Sequence, residues 1–469
     1  MARIVVLGAG VCGLAAGMLL SRDGHEVVVL ERDADGVPGS ADEAWKEWSR
    51  DGVAQFRQPH FLHARGRIVL EEALPDIARA LEAAGAMRFD LLSTMPPLLT
   101  DRSRRDGDER FETITARRPV LEQVLCRAAN SEPGMELRNG VAVRELLVSC
   151  YNGTPHVTGV QTESGDELRA DLVVDATGRR SQLPRWLEAA GAAPVQEEVE
   201  GSGFIYYTRY FRARNGAIPP FRAPPLTPLG TFSILVIPSD NGTWSVTVFI
   251  SAGDRPLKRL REPQLWWSLF AACPLHAQWL DGEPITDVLA MGGLVDRYRR
   301  FVVDGEPVAT GTAAVGDAWA CSNPSLGRGM SFGLAHVQLL RDTIRQHLDD
   351  PSRFAEAWDA VTEAELAPWY RETVDEDHDR FAEIETLRNG LEPGGEPSPS
   401  TRLRRALLAA VARDPDAFRT YLASRCCLTS LGEAFTDQDF VARIMELARD
   451  STPPPLPGPD RAQLLSLLG

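Results

Sequence analysis

The hydrophobic positions begin in a short block. Residues 3–7 (RIVVL) are apolar and β-branched, which predicts a buried strand. A glycine-rich turn runs from Gly8 to Gly13. Residues 12–22 then put Leu14, Met18 and Leu19 on one side of a helix, and residues 26–30 (EVVVL) form a second strand. That order is a βαβ unit. Residues 61–84 read as helical with a break at Pro75, which can open a second piece. Val120, Leu121, Val124, Leu125 and Ala128 mark another amphipathic helix. Strands are predicted at 135–148 and 156–163, and Leu172–Asp175 is a short, fully buried one.

From residue 199 to 300 the pattern changes. The stretch 203–212 (GFIYYTRYFR) is aromatic and β-branched, and 231–237 and 243–250 read as two more strands. An inserted antiparallel sheet is expected there. Residues 308–316 (VATGTAAVG) return to strand character, and Gly329 opens a helix with Leu334, Val337, Leu340 and Ile344 on one face. Residues 352–450 read as mostly helical, and Ser451 starts a Pro-rich linker or cap (STPPPLPGPD). The expected division is a nucleotide-binding body over 1–198 and 301–348, a sheet body over 199–300 with further segments near 85–115, and a helical region over 349–469.

Composition narrows the partners. Acidic residues outnumber basic ones, 66 to 50, for a net charge of -16, and no long basic run occurs, so nucleic acid is a poor partner. The seven cysteines have no CxxC spacing, which argues against zinc or a redox dithiol and fits a reducing, cytoplasmic setting. Uncharged Ile4–Leu20 mimics a signal peptide, but its patterned glycines after a strand argue otherwise. No other run approaches the length of a membrane helix.

Three segments carry chemistry. In Gly8-Ala9-Gly10-Val11-Cys12-Gly13, the first glycine permits a tight turn, the second lets backbone approach a pyrophosphate, and the third lets helix and strand pack closely. The helix N-terminus then favours the phosphates. Glu31 closes the second strand, where a carboxylate accepts from both ribose hydroxyls; beside it, Arg32 would suit a 2′-phosphate that Glu31 repels. The second segment is Asp171-Leu-Val-Val-Asp175-Ala-Thr177-Gly178-Arg-Arg-Ser181. The third is Gly316-Asp317-Ala-Trp-Ala-Cys-Ser-Asn-Pro324-Ser-Leu-Gly327-Arg-Gly329-Met330.

With these motifs, residues 1–345 resemble the FAD-dependent monooxygenases of the aromatic-hydroxylase fold. The resemblance implies an α/β fold: a Rossmann-like FAD-binding domain, an inserted antiparallel substrate domain and a helical C-terminal region. It implies that Gly316 and Asp317 hold the ribityl chain and pyrophosphate of FAD. It further implies that Pro324, Gly327, Gly329 and Met330 bring a helix start to the flavin pyrimidine, and that Arg118, opening an RxxL helix start, contacts the cofactor. Thr177-Gly178 stands where the aromatic hydroxylases carry Asp-Gly, which is similar to the polyether and squalene-epoxidase-like branch. There a separate flavin reductase, rather than NAD(P)H directly, can supply electrons. The loop 53–66 (VAQFRQPHFLHARG) is similar to the polyene epoxidases of polyketide pathways, and places Gln55, Arg57 and His60 near the flavin or substrate mouth. His60 and His63 have metal spacing but no visible third ligand, so no metal is expected. Tyr206, Tyr207 and Tyr210 either line an apolar substrate pocket or pack the sheet.

The resemblance implies that O2 and reduced flavin form a C4a-hydroperoxide that oxygenates an apolar, polyketide-like metabolite by epoxidation or hydroxylation. An FAD-bound non-redox cyclase and a flavin dehydrogenase keep the same motifs and are told apart by product mass.

Overall fold

The computed structural model describes residues 1–96, 98–391, 397–449 and 456–469. Strand β1 (Arg3–Leu7), helix α1 (Val11–Arg22) and strand β2 (Glu26–Glu31) form the expected βαβ unit. They belong to a five-stranded parallel sheet, ordered Thr312–Ala314, Leu172–Asp175, β1, β2, Met135–Asn139. Ile4, Val5 and Val6 are all fully buried, so both faces of the sheet are covered, which is why these strands are unbroken apolar runs. Gly17 allows the close approach of α1: a Cβ there would meet Met135 Cε at 2.7 Å and Val29 Cγ2 at 2.8 Å.

Two expected strands are divided. Residues 135–148 split at Gly140, whose φ of +73° turns the chain. Met135–Asn139 stays in the parallel sheet, while Val143–Tyr151 joins an antiparallel meander with Thr154–Thr162 and Glu167–Arg169. In 308–316 only Thr312–Ala314 pairs with Leu172–Asp175, because the chain turns at Gly311 (φ +73°) and Thr310 bonds to Pro155 and Val157 instead.

The second sheet is antiparallel: Leu226–Leu229, Phe232–Pro238, Thr243–Ser251, Phe204–Arg212 and Glu283–Pro284, with Leu289–Met291 also on the Phe204–Arg212 edge. Every residue of Thr243–Ser251 is buried. One side of this sheet meets Trp266, Leu269 and Phe270, and the other meets Phe381 and Ile384 of the Ala367–Arg388 helix. The hairpin strands Met87–Asp90 and Glu112–Thr115 tie to it, with Thr115 Oγ1 donating to the Pro238 carbonyl at 2.8 Å and Asn241 N–H to the Gly85 carbonyl at 2.9 Å.

Helices fill most of the rest, from Pro351–Glu365 to Gln438–Arg449. The stretch Ser451–Pro455 of the Pro-rich segment lies outside the described residues. Beyond it, Asp460 caps a final helix, Arg461–Leu468, that buries Leu464 and Leu468 in the core of the second sheet.

Candidate cofactor and active site

The turn after β1 closes through contacts that only glycine allows. A Cβ on Gly8 (φ +91°) would sit 2.9 Å from the Ala176 carbonyl oxygen, and one on Gly13 would sit 1.8 Å from the Gly8 carbonyl oxygen. Gly10 differs: nothing lies within 4 Å of its Cβ position, because it borders a cavity. As the N-cap of α1, Gly10 leaves the first N–H groups of that helix without a side-chain partner.

The cavity, about 540 Å³, brings the three motifs together. Gly8 and Gly10 come from the first, and Thr177 and Gly178 from the second. Gly316, Asp317, Pro324, Gly327, Gly329 and Met330 come from the third. Glu31, Arg32 and Arg118 border it, as do Gln55 and His60 from the loop before the third helix of the chain.

Other expected residues are not brought there. Gly13 packs beneath the turn. Arg57 turns away and donates to the Trp48 carbonyl at 3.0 Å. Tyr206, Tyr207 and Tyr210 are buried in the second sheet and do not line the cavity. Tyr207 donates to the Lys258 carbonyl at 3.3 Å, and Tyr210 packs edge-on to Trp45. Of the two readings of the aromatic run, sheet packing is what the structure displays.

Residues 3–202 match the family model of an FAD binding domain. The chain is 27% identical to Protein Rv3254 of Mycobacterium tuberculosis over 368 residues, covering 73% of this chain and 72% of that protein. It is 25% identical to kynurenine 3-monooxygenase of Salinispora tropica over 372 residues, 75% of each chain. Squalene monooxygenase of Mus musculus is 25% identical over 361 residues, 73% of this chain and 54% of that protein. The solved structure of PqsL from Pseudomonas aeruginosa superposes with a TM-score of 0.60 at 18% identity, covering 82% of this chain and 99% of that one, a likeness of fold. The chain is an FAD-dependent oxidoreductase.

The residues present fit FAD. The Asp317 carboxylate lines the cavity with no hydrogen-bond partner among the described residues. Burial raises its pKa, against the opposing pull of Arg118 and Arg179. A desolvated acceptor without a partner suits the hydroxyls of a ribityl chain. Glu31 accepts from the Ala9 N–H at 2.9 Å and the Asp33 N–H at 3.0 Å, which fixes its carboxylate beside the glycine turn. Thr177 turns back onto its own strand. Its hydroxyl and N–H both donate to Asp175 Oδ1, at 2.6 and 2.9 Å, and Ser181 donates to Asp175 Oδ2. This closes the end of the Leu172–Asp175 strand and leaves Gly178 against the cavity.

His60 is neutral. Burial and then Arg118 push its pKa down to about 3. Its Nδ1 is 2.9 Å from the Gln58 carbonyl and its Nε2 is 3.1 Å from Arg118 Nη1. The guanidinium can only donate, so Nε2 accepts and Nδ1 carries the hydrogen. His60 thus aims Arg118 and has no proton to give on its cavity side.

Sequence reasoning missed Arg50. It donates to Glu31 at 2.5 Å, Asp33 at 3.2 Å, Glu122 at 2.8 Å and the Ala9 carbonyl at 3.1 Å. Glu122 in turn accepts from Arg118 Nε at 2.6 Å. The result is a buried row of alternating charge: Arg118, Glu122, Arg50, then Glu31 with Asp33. Cys12 was also passed over. Its thiol lies between Gly316 and Gly333, and burial, then Asp317, push its pKa up to about 12, so it stays a thiol.

Proposed function

We propose that the chain is a flavin monooxygenase that adds one oxygen atom to an apolar, polyketide-like secondary metabolite, by epoxidation or hydroxylation. The observation that carries this reading is the composition of the cavity wall. The cavity that gathers the FAD motifs is also lined by Met291, Leu294, Val295, Phe332 and Leu366. Met291 pairs with Tyr206 across the second sheet, so that sheet supplies part of the wall. This supports a substrate held between a cofactor body (1–198 and 301–348) and a sheet body (199–300). The similarity to squalene monooxygenase agrees with an apolar substrate.

When bound and reduced, FAD supplies two electrons to O2; one oxygen atom enters the substrate and the other leaves as water. The chain's residues bind and shield. Glu31 and Asp317 accept from cofactor hydroxyls, the N-terminus of α1 takes the pyrophosphate, and the apolar wall keeps water from the reacting edge. No side chain on the cavity is needed as an acid for alkene epoxidation. With Thr177 engaged on Asp175, direct reduction by NAD(P)H is slow in this reading, and a separate flavin reductase supplies the electrons.

The test is to reduce the purified enzyme, admit isotopically heavy O2 with a panel of polyketide alkenes, and weigh the products. Gain of one heavy oxygen is expected. An isomer of unchanged mass would establish a cyclase instead, and loss of two hydrogens a dehydrogenase; either outcome overturns the proposal.

A further inference from the structure

The turn that carries Asp317 to the cavity starts at a glycine. Gly316 takes φ +57°, and a glycine has many other conformations open to it, so the bonds on its peptide decide where the next side chain points. Its N–H donates to His336 Nδ1 at 3.1 Å, and its carbonyl accepts from the Trp319 N–H at 3.0 Å. His336 belongs to the Gly329–His347 helix and is buried at the cavity wall. Its Nε2 is 3.1 Å from Thr362 Oγ1 on the Pro351–Glu365 helix. The ring stacks on Trp358, with centroids 4.4 Å apart and planes 14° apart, and meets Trp319 edge-on at 5.1 Å. The geometry points to His336 as a positioning residue: by accepting from the Gly316 N–H it fixes the turn that presents the Asp317 carboxylate to FAD.

The hydrogen bonds settle which nitrogen carries the hydrogen. A backbone N–H can only donate, so Nδ1 offers its lone pair to Gly316, and Nε2 carries the hydrogen and donates to Thr362. Both nitrogens are thus spent inside the protein. Burial also favours the neutral ring, pushing its pKa down to about 3. The neighbours of His336 on its helix, Leu334, Ala335, Val337 and Leu340, are core residues. A phenyl ring would fill the same space without burying two nitrogens. What an imidazole adds there is the acceptor for Gly316, one residue before a carboxylate that has no hydrogen-bond partner of its own among the described residues.

The inference rests on FAD lying in this cavity, and the test separates the two. FAD affinity is measured by flavin fluorescence for the wild type, His336→Phe, His336→Asn, Asp317→Ala, the Asp317→Ala/His336→Phe double variant and Gly10→Ala. His336→Phe keeps a ring between the tryptophans but offers no acceptor, and should bind FAD roughly tenfold more weakly. His336→Asn, whose amide oxygen replaces Nδ1, should recover most of that loss. In the Asp317→Ala background, His336→Phe should change affinity by about twofold or less, because its effect passes through Asp317. Ring nitrogen NMR at about pH 7 should show the signals lost in His336→Asn to be those of a bare Nδ1 and a protonated Nε2. Wild-type affinity in His336→Phe, no recovery in His336→Asn, an undiminished effect in the double variant, or a hydrogen on Nδ1 overturns the proposal. If His336→Phe does not fold, the affinity of His336→Asn and the NMR signals decide. If Gly10→Ala and Asp317→Ala both bind FAD normally, the cofactor's placement falls and this proposal with it; if they weaken binding and His336→Phe does not, this proposal alone falls.

Discussion

At the scale of single residues, the Glu31 carboxylate depends on a neighbour the glycine motif does not contain. Glu31→Ala removes acceptors for ribose hydroxyls, and FAD binding should weaken by about 1.5–3 kcal/mol, read by fluorescence titration. Arg50→Ala is the more damaging change. It takes the only cation from Glu31 and Asp33 among the described residues, leaves Glu122 with Arg118 alone, and should cost about 3–5 kcal/mol of stability in denaturant unfolding. Asp377 contributes in the opposite sense. Burial raises its pKa on folding from the ordinary 3.8 to about 7, against the bonds from Ser325 and Asn323, so the folded chain keeps a proton that the unfolded chain has released. This group's contribution to stability therefore falls as pH rises from about 4 to about 7 and stays low above that. Asp377→Asn should flatten that limb of the stability profile, whereas an unchanged limb would show that another group titrates there.

At the scale of elements, what was legible in the sequence was what is local. The βαβ unit, the helix from Gly329 and the aromatic sheet strands follow from periodicity and turn residues over short windows. The glycine turn was readable because Gly8 and Gly13 answer steric demands within that turn or at its nearest neighbour, while Gly10 faces the open cavity. Arg50 was not readable. It sits in a loop without periodicity, and its partner Glu122 reaches it only through tertiary structure. Asp377 lies on a helix like any other, and its carboxylate meets Asn323, far away along the chain, only through tertiary structure. The tyrosines show the opposite failure: composition alone did not separate a sheet core from a pocket wall. The turn yields a graded prediction. Gly10→Ala finds open space, so the cofactor-free protein should keep its melting temperature, while FAD affinity drops at least about tenfold as the methyl meets the cofactor. Gly13→Ala collides with the Gly8 carbonyl, and both folding and binding should suffer.

At the scale of the whole molecule, a buried ion pair ties the start of the Arg118–Ala129 helix to the turn between two strands of the second sheet. Arg117 donates to Asp240 through its backbone N–H at 2.7 Å, Nε at 3.0 Å and Nη2 at 2.6 Å, with both side chains fully buried. Asp240→Ala should destabilise by about 3–5 kcal/mol, because it leaves the guanidinium uncompensated. Replacing both residues with apolar ones of similar volume should restore much of the loss, and urea unfolding of the single and double variants checks it. The next residue, Arg118, reaches the other way, to His60 and Glu122 at the cavity. Two consecutive arginines thus tie the edge of the cavity to the second sheet. The contacts of one arginine therefore lie a single peptide away from those of the other.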